Sequence, residues 1–165
     1  GNIDCYYLLM DKTDQFNGPD IYPACVDPIT HKISAPTSVG KWYWKLQANS
    51  THGQSGPYTS VRSFTIAAPL APALSSPKNG SAYKNLSVIT KWKASKGAAT
   101  YTIQFDDSVD MGSTFLTVPS IVGQQFNDLL GVLSLTHGTV YWHVAAIDSG
   151  GNQSPWSATW SFILP

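Results

Sequence analysis

The chain has 165 residues, ten of them basic and ten acidic, for a formal net charge of zero. It has no polybasic run to follow a phosphate backbone or an anionic membrane surface, and no apolar stretch near the roughly 18 residues that span a bilayer, so neither nucleic acid nor membrane insertion is expected. Apolar content of 42% and aromatic content of 12% exclude a disordered chain and suffice for packed cores.

Charged residues make up only 12% of the chain, while Ser and Thr number 33. That mixture suits an exposed, secreted surface better than a crowded cytoplasmic enzyme. No signal peptide is visible, which leaves a mature chain or a part excised from something longer.

In chain order, the first expected strand covers residues 5–10, an apolar run that belongs in the middle of a domain. Cys5 and Cys25, the two cysteines of the chain, cannot form a zinc site by themselves. A disulfide between them is expected, closing a loop of about 20 residues and worth roughly 3 kcal/mol; two buried free thiols are the alternative. Gly40–Ala48 then alternates as a half-buried strand must, with Trp42, Trp44, Leu46 and Ala48 opposite Tyr43, Lys45 and Gln47. The turn-rich "STHGQSGP" leads from it into a strand ending at Ser63-Phe64, which makes a hairpin.

The Pro/Ala-rich "AAPLAPALSSP" at 67–77 reads as a short, stiff joint. Beyond it Val88, Thr90 and Trp92 alternate, the turn Ser95–Ala98 follows, and Tyr101, Ile103 and Phe105 alternate again. The nearest approach to helical periodicity, "NDLLGVLSL", is interrupted by Gly131. The last hairpin sets Val140, Trp142, Val144 and Ala146 opposite Tyr141, His143 and Ala145, then passes through "DSGGNQSP" to Ser161-Phe162. Short strands at intervals of roughly 8 to 12 residues, with turn chemistry between them, predict an all-β sandwich.

The chain also repeats itself. A shift of 98 residues, with no gap, lays Gly40, Tyr43-Trp44, Ala48, Pro57, Tyr58 and Ser63-Phe64 onto Gly138, Tyr141-Trp142, Ala146, Pro155, Trp156 and Ser161-Phe162. Two copies of one unit are present.

The stretch "PALSSPKNGS…TKWKASKGAATYTIQFD…LTHGTVYWHVAAIDSGGNQSPWSATWSF" resembles the fibronectin type III-like repeats of bacterial and archaeal secreted and cell-surface proteins. The resemblance covers 71–165 as a whole module and 5–66 as the later part of another. It rests on the opening Pro-x-Leu-x-Ser-Pro-x-Asn-Gly, on Trp92 and Tyr101, on Gly138-Thr139, and on Asp148-Ser-Gly-Gly-Asn152 ahead of Ser-Pro-Trp-Ser. It implies two tandem β-sandwiches: an incomplete one over 1–67, a linker and start of the next strand over 68–76, and a complete one over 71–165. The position that is often Tyr at the start of the sixth strand is Val140 here and Trp42 in the first copy, so a tyrosine corner is not expected in either.

Matching Tyr6–Asp11 to Tyr101–Asp106 makes the first strand of this chain a third strand. Counterparts of about 71–95, the first two strands, are then missing from the first copy. A sandwich without them exposes an inner face and unpaired edges. The expected explanation is a longer tandem array; strand donation by a neighbouring subunit is the alternative, but no spare segment is evident for it.

A search for chemistry is thin. His31, His52, His137 and His143 show no regular spacing and read as solvated surface residues. No nucleophile elbow, zinc-protease helix or phosphate loop occurs. Every acidic residue is Asp, so a paired-carboxylate site would have to come from Asp alone. Asp106, Asp107 and Asp110 are a weak calcium candidate, echoed thinly by Asp11, Asp14 and Asp20; turn formation explains the same residues without a metal. No other cofactor is expected. Tyr43, Tyr58, Tyr141, Trp156 and Trp160 are candidate rings for stacking on sugars, although covering of the core or of a sheet edge is the favoured account of them. Asn-x-Ser/Thr sequons stand at Asn49, Asn79, Asn85 and Asn152, more than chance supplies, which fits a glycosylated surface protein.

The expected function is that of a non-catalytic extracellular or cell-surface module: a spacer, adhesive stalk or filament-forming protein. Its partners would be further modules of the same chain or identical subunits, and glycans in a second reading. That reading is an accessory glycan-binding or spacer pair of a secreted polysaccharide-degrading enzyme.

Overall fold

The structure, a computed structural model, describes residues 3–17, 24–29, 32, 36–84, 87–127 and 138–165. Among these the chain forms strands and no helix, in two units, Gly1–Ala67 and Ala68–Pro165.

The first unit is one antiparallel sheet. Its strands are β1 (Ile3–Asp11), β2 (Ala24–Val26), β3 (Gly40–Ser50), β4 (Ser55–Tyr58) and β5 (Arg62–Ile66). β3 lies at the centre, with β1 and then β2 on one side and β4 and β5 in succession along the other. The register pairs Leu8 with Leu46, Met10 with Trp44 and Trp42 with Phe64. Because side chains alternate, Tyr6, Leu8, Met10, Val26, Trp44, Leu46 and Phe64 share one face. Leu8, Met10, Val26 and Trp42 are buried there, and Tyr6, Trp44, Leu46, Phe64 and Ile66 are partly buried against them. The Cys5–Cys25 disulfide ties β1 to β2, as expected.

The second unit has β6 (Leu74–Ser76), β7 (Ser81–Ala82), β8 (Ile89–Trp92), β9 (Thr100–Asp106), β10 (Leu116–Ile121), β11 (Gln125–Asn127), β12 (Gly138–Ile147) and β13 (Trp160–Leu164). One sheet runs β10-β9-β12-β13-β7 and the other β11-β8-β6. This is a β-sandwich of two sheets. β6 begins inside the Pro/Ala-rich joint, at Leu74. The Asn-Gly of the opening motif explains how the chain then changes sheet. Asn79 Oδ1 accepts from the Ser161 amide at 2.8 Å, and Gly80, at φ +76°, donates its amide to the Ser161 carbonyl at 2.8 Å. That grip delivers β7 alongside β13 as the parallel pair of the sheet.

Tyr101, Ile103, Phe105, Trp142, Val144, Ala146 and Phe162 fill the space between the sheets. Complete burial of such side chains stabilises by roughly 1.5–3 kcal/mol each. The two units correspond strand by strand: β1 to β9, β3 to β12, and β5 to β13. Gly40 and Gly138 open the matching long strands, both with positive φ, +125° and +91°.

One matched feature escaped the sequence reading. Thr59 Oγ1 accepts from the Leu46 amide at 3.0 Å, and Ser157 Oγ accepts from the Val144 amide at 3.0 Å, at the same place in both units. Each hydroxyl takes the position of a ladder carbonyl and interrupts the strand that follows the turn. The second half of the hairpin is therefore broken in both copies rather than continuous.

Candidate functional site: the apolar cavity of the first unit and the aromatic faces

A cavity of about 400 Å³ lies on the inner face of the first unit, lined by Tyr6, Leu8, Met10, Val26, Trp44, Leu46 and Phe64. The lining is apolar and carries no charged group. Arg62 lies across from Trp44 in the ladder and places its guanidinium 5.8 Å from that ring; Lys12 lies 5.3 Å from the Trp42 ring. The matching face of the second unit is sealed: Tyr101 is 3% exposed, and Ile103, Phe105, Trp142, Val144 and Phe162 are 0%.

The outer faces hold the other aromatic contacts. In the first unit Lys45 sits 4.2 Å from the Phe16 ring and 4.7 Å from the Tyr58 ring, and Lys41 is 4.9 Å from Tyr43. Each is a cation–π contact. In the second unit the Lys45 position is His143 and the Tyr58 position is Trp156. These two rings stack at 4.0 Å with planes 12° apart. His143 Nε2 also donates to Gln104 Oε1 at 2.9 Å.

His143 corrects the sequence expectation. It does point away from the sandwich core, but it is buried, because Trp156 folds back over it. That burial lowers its pKa below 6.5, against a smaller upward pull from the Asp106 charge. Trp160 is likewise not on an open row. It faces inward, opposite Trp142 in the ladder, with the rings edge to face at 6.4 Å. Trp156 lies stacked on His143. Tyr141 and Tyr43 are half-buried, and Tyr58 is the most exposed of the five rings.

The acidic cluster is spent on turns. Asp106 is buried and accepts from the Ser108 and Ser113 amides, at 2.9 Å each. Burial pushes its carboxyl up, but those amides together with bonds from Asp107 outweigh it and hold the pKa below 3.8. Asp110 Oδ1 accepts from the Gly112 amide at 3.1 Å. Asp107 is exposed. Among the described residues no group of three or more His, Cys or acidic side chains is placed to hold a metal ion, so Asp106, Asp107 and Asp110 do not converge on one. In the first unit Asp11 repeats the turn, accepting from the Thr13 amide at 3.0 Å.

The sequons differ in what their side chains do. Asn152 Nδ2 donates to both carboxylate oxygens of Asp148, at 3.1 and 2.9 Å. Asn49 Oδ1 accepts from Ser55 Oγ at 2.7 Å. Asn79 is exposed, held through its oxygen to Ser161. His52 is exposed in the turn after β3. Asn85, His31, His137, Asp20 and most of "NDLLGVLSL" lie outside the described residues.

No family model matches the chain, and no curated protein matches it. Solved structures do resemble it at low identity. A Fn3-like protein from Clostridium thermocellum aligns over 60% of this chain and 93% of its own length, at 18% identity and TM-score 0.42. The fibronectin(III)-like modules of Clostridium thermocellum CbhA align over 99% of this chain and 80% of theirs, at 13% identity and TM-score 0.42. The FN1–FN3 domains of chicken CNTN1 align over 98% of this chain and 56% of theirs, at 16% identity and TM-score 0.39.

Proposed function

We propose that the chain is a non-catalytic structural part of an extracellular or cell-surface protein, a spacer, stalk or filament segment acting through contacts between modules and between sheet edges. The observation that carries this reading is where the buried polar side chains go. Asp106 holds Ser108 and Ser113, Ser154 Oγ accepts from the Ala146 amide, and Ser157 Oγ accepts from the Val144 amide. Nucleophiles and acid–base groups need a polar tip free to face a cleft. Here those groups are turned onto the backbone, and the cavity of the first unit is apolar. The indole nitrogens of Trp92 and Trp142 are buried without a hydrogen-bond partner, but an indole N–H only donates and offers no acid–base chemistry.

The glycan-binding reading is supported less. Trp156 is stacked on His143 and Trp160 is turned inward, which leaves Tyr58, with Lys45 on one side, as the most accessible ring. Electrophoresis of the full chain through gels containing soluble polysaccharides tests both readings. Unchanged mobility is the outcome expected of a spacer. Retardation by one glycan, relieved by Tyr58→Ala, would replace the spacer reading with the accessory-module reading.

A further inference from the structure

Asn79 and Gly80 are both held by one residue of the neighbouring strand. Asn79 Oδ1 accepts from the Ser161 amide at 2.8 Å and from Ser161 Oγ at 3.3 Å, while the Gly80 amide donates to the Ser161 carbonyl at 2.8 Å. The pair sits in a turn closed by the Ser81 amide donating to the Lys78 carbonyl at 3.0 Å. Both residues are exposed, and a Cβ added at Gly80 would meet nothing within 4 Å. Asn-Gly is a dipeptide especially prone to close on itself. The glycine nitrogen can bond to the asparagine Cγ in a five-membered ring, and no side chain on the glycine screens the approach. Here Ser161 engages both of the groups that would react.

We propose that Asn79-Gly80 is a site of spontaneous deamidation gated by β7: it is blocked while β7 pairs with β13 and reacts when β7 lifts away. The Gly80 nitrogen gives its proton to solvent base and bonds to Asn79 Cγ, the Cγ–Nδ2 bond breaks, and Nδ2 leaves as ammonia. Water then opens the ring at either carbonyl, giving an aspartyl or an isoaspartyl residue at 79; water is the sole co-reactant. Pairing suppresses ring closure twice, because the Ser161 carbonyl retains the Gly80 proton and the Ser161 amide retains the carboxamide. The isoaspartyl product carries the main chain through Cβ, which adds an atom between positions 79 and 80. The two contacts to Ser161 are then out of step, and β7 stays off β13. That releases the Ser161 and Ile163 carbonyls, which take the Gly80 and Tyr83 amides, along the edge β7 had covered. A transient opening is thereby made permanent.

The test incubates the full chain in heavy-oxygen water at mildly alkaline pH and follows label at Asn79 by peptide mapping. The peptide 79–84 lies between Lys78 and Lys84, so it is read apart from the other Asn-Gly, Asn17-Gly18. Folded chain should convert at Asn79 at least about a hundredfold more slowly than urea-unfolded chain. Ser161→Pro removes the amide that holds the carboxamide and should speed conversion at least about tenfold in the folded state. Ser161→Ala keeps both backbone groups and should leave the rate unchanged. Through sub-denaturing urea, conversion at Asn79 and amide exchange at Gly80 should rise together in the unaltered chain, which decides the matter even where Ser161→Pro does not fold. Chain carrying the isoaspartyl product should exchange rapidly at the Tyr83 amide. Equal conversion in folded and unfolded chain overturns the proposal. So does conversion that fails to follow Gly80 exchange, or an isoaspartyl product in which Tyr83 stays protected.

Discussion

Phe16 and Met111 stand ninety-five positions apart and share one backbone conformation, with φ of +56° and +54°. Side chains other than Gly rarely take this left-handed form, and they persist in it only when the surroundings hold them there. What holds them is a pair of matching loops. Each begins with a buried Asp, Asp11 or Asp106, that accepts from the amide two residues on. The loops repeat although their sequences, "DKTDQF" and "DDSVDM", share little beyond the first Asp.

Asp106 contributes to the acid response of the second unit, together with Asp148, whose carboxyl is held below 3.8 by bonds from Asn152, Gly150 and Gly151. The Asp106 pKa is likewise held below 3.8 in the folded chain, so the folded state binds the proton less readily than the unfolded one. The stabilisation is complete above the ordinary carboxylate value and is lost as pH falls through the lowered one. Asp106→Asn should lower the unfolding midpoint at neutral pH and flatten the decline in acid. Urea titrations between neutral pH and pH of about 3 read this directly.

His143 acts in a second window. Burial keeps its folded pKa below 6.5, so its contribution is complete above that value and declines as pH falls from 6.5 through the folded value. His143→Gln should remove the component of pH dependence that begins below 6.5, leaving the more acidic one due to Asp106 and Asp148. NMR titration of the imidazole should give a midpoint below 6.5. Trp156→Ala uncovers the ring and is expected to raise that midpoint, while costing about 0.5–1.5 kcal/mol in lost stacking beyond the area exposed.

Reducing the Cys5–Cys25 bond should destabilise the first unit selectively. The bond spans 20 residues, and opening a loop of that size costs about 3 kcal/mol in the chain-entropy account. Amide exchange should accelerate across β1 and β3 and stay unchanged across β9 and β12. Equal acceleration in both units would show that they do not respond separately.

Phe64 and Phe162 occupy matching places, and their truncation should differ in effect. Phe162 is fully buried between two sheets, so Phe162→Ala should cost about 3–5 kcal/mol. Phe64 borders a cavity and is partly exposed, so Phe64→Ala should cost only about 1 kcal/mol in the present chain. Denaturation followed separately in each unit compares the two. Equal losses would contradict the difference in burial between the two rings.

Much of the architecture was legible because it depends on local periodicity. Alternation places Tyr101, Ile103 and Phe105 on one face of a strand, and the 98-residue shift carries the alternation of Val140, Trp142 and Val144 onto Trp42, Trp44 and Leu46. The presence of two cysteines, too few for a zinc site, makes the Cys5–Cys25 bond the expected pairing, and Asp-rich turns can be recognised from the residues that form them. Alternation, however, says which side chains share a face and not what lies over that face. That is why His143 reads as solvated in the sequence although the Trp156 ring, thirteen residues farther along, covers it, and why Trp160 groups with the surface aromatics although it meets Trp142 inside. The same limit hid Thr59 and Ser157, whose hydroxyls matter only because the chain brings them within reach of particular amides on the neighbouring strand. Sequence settled the strands and their repeat; the packing of one layer over another, a long-range matter, decided which polar groups are buried and which aromatic rings meet inside.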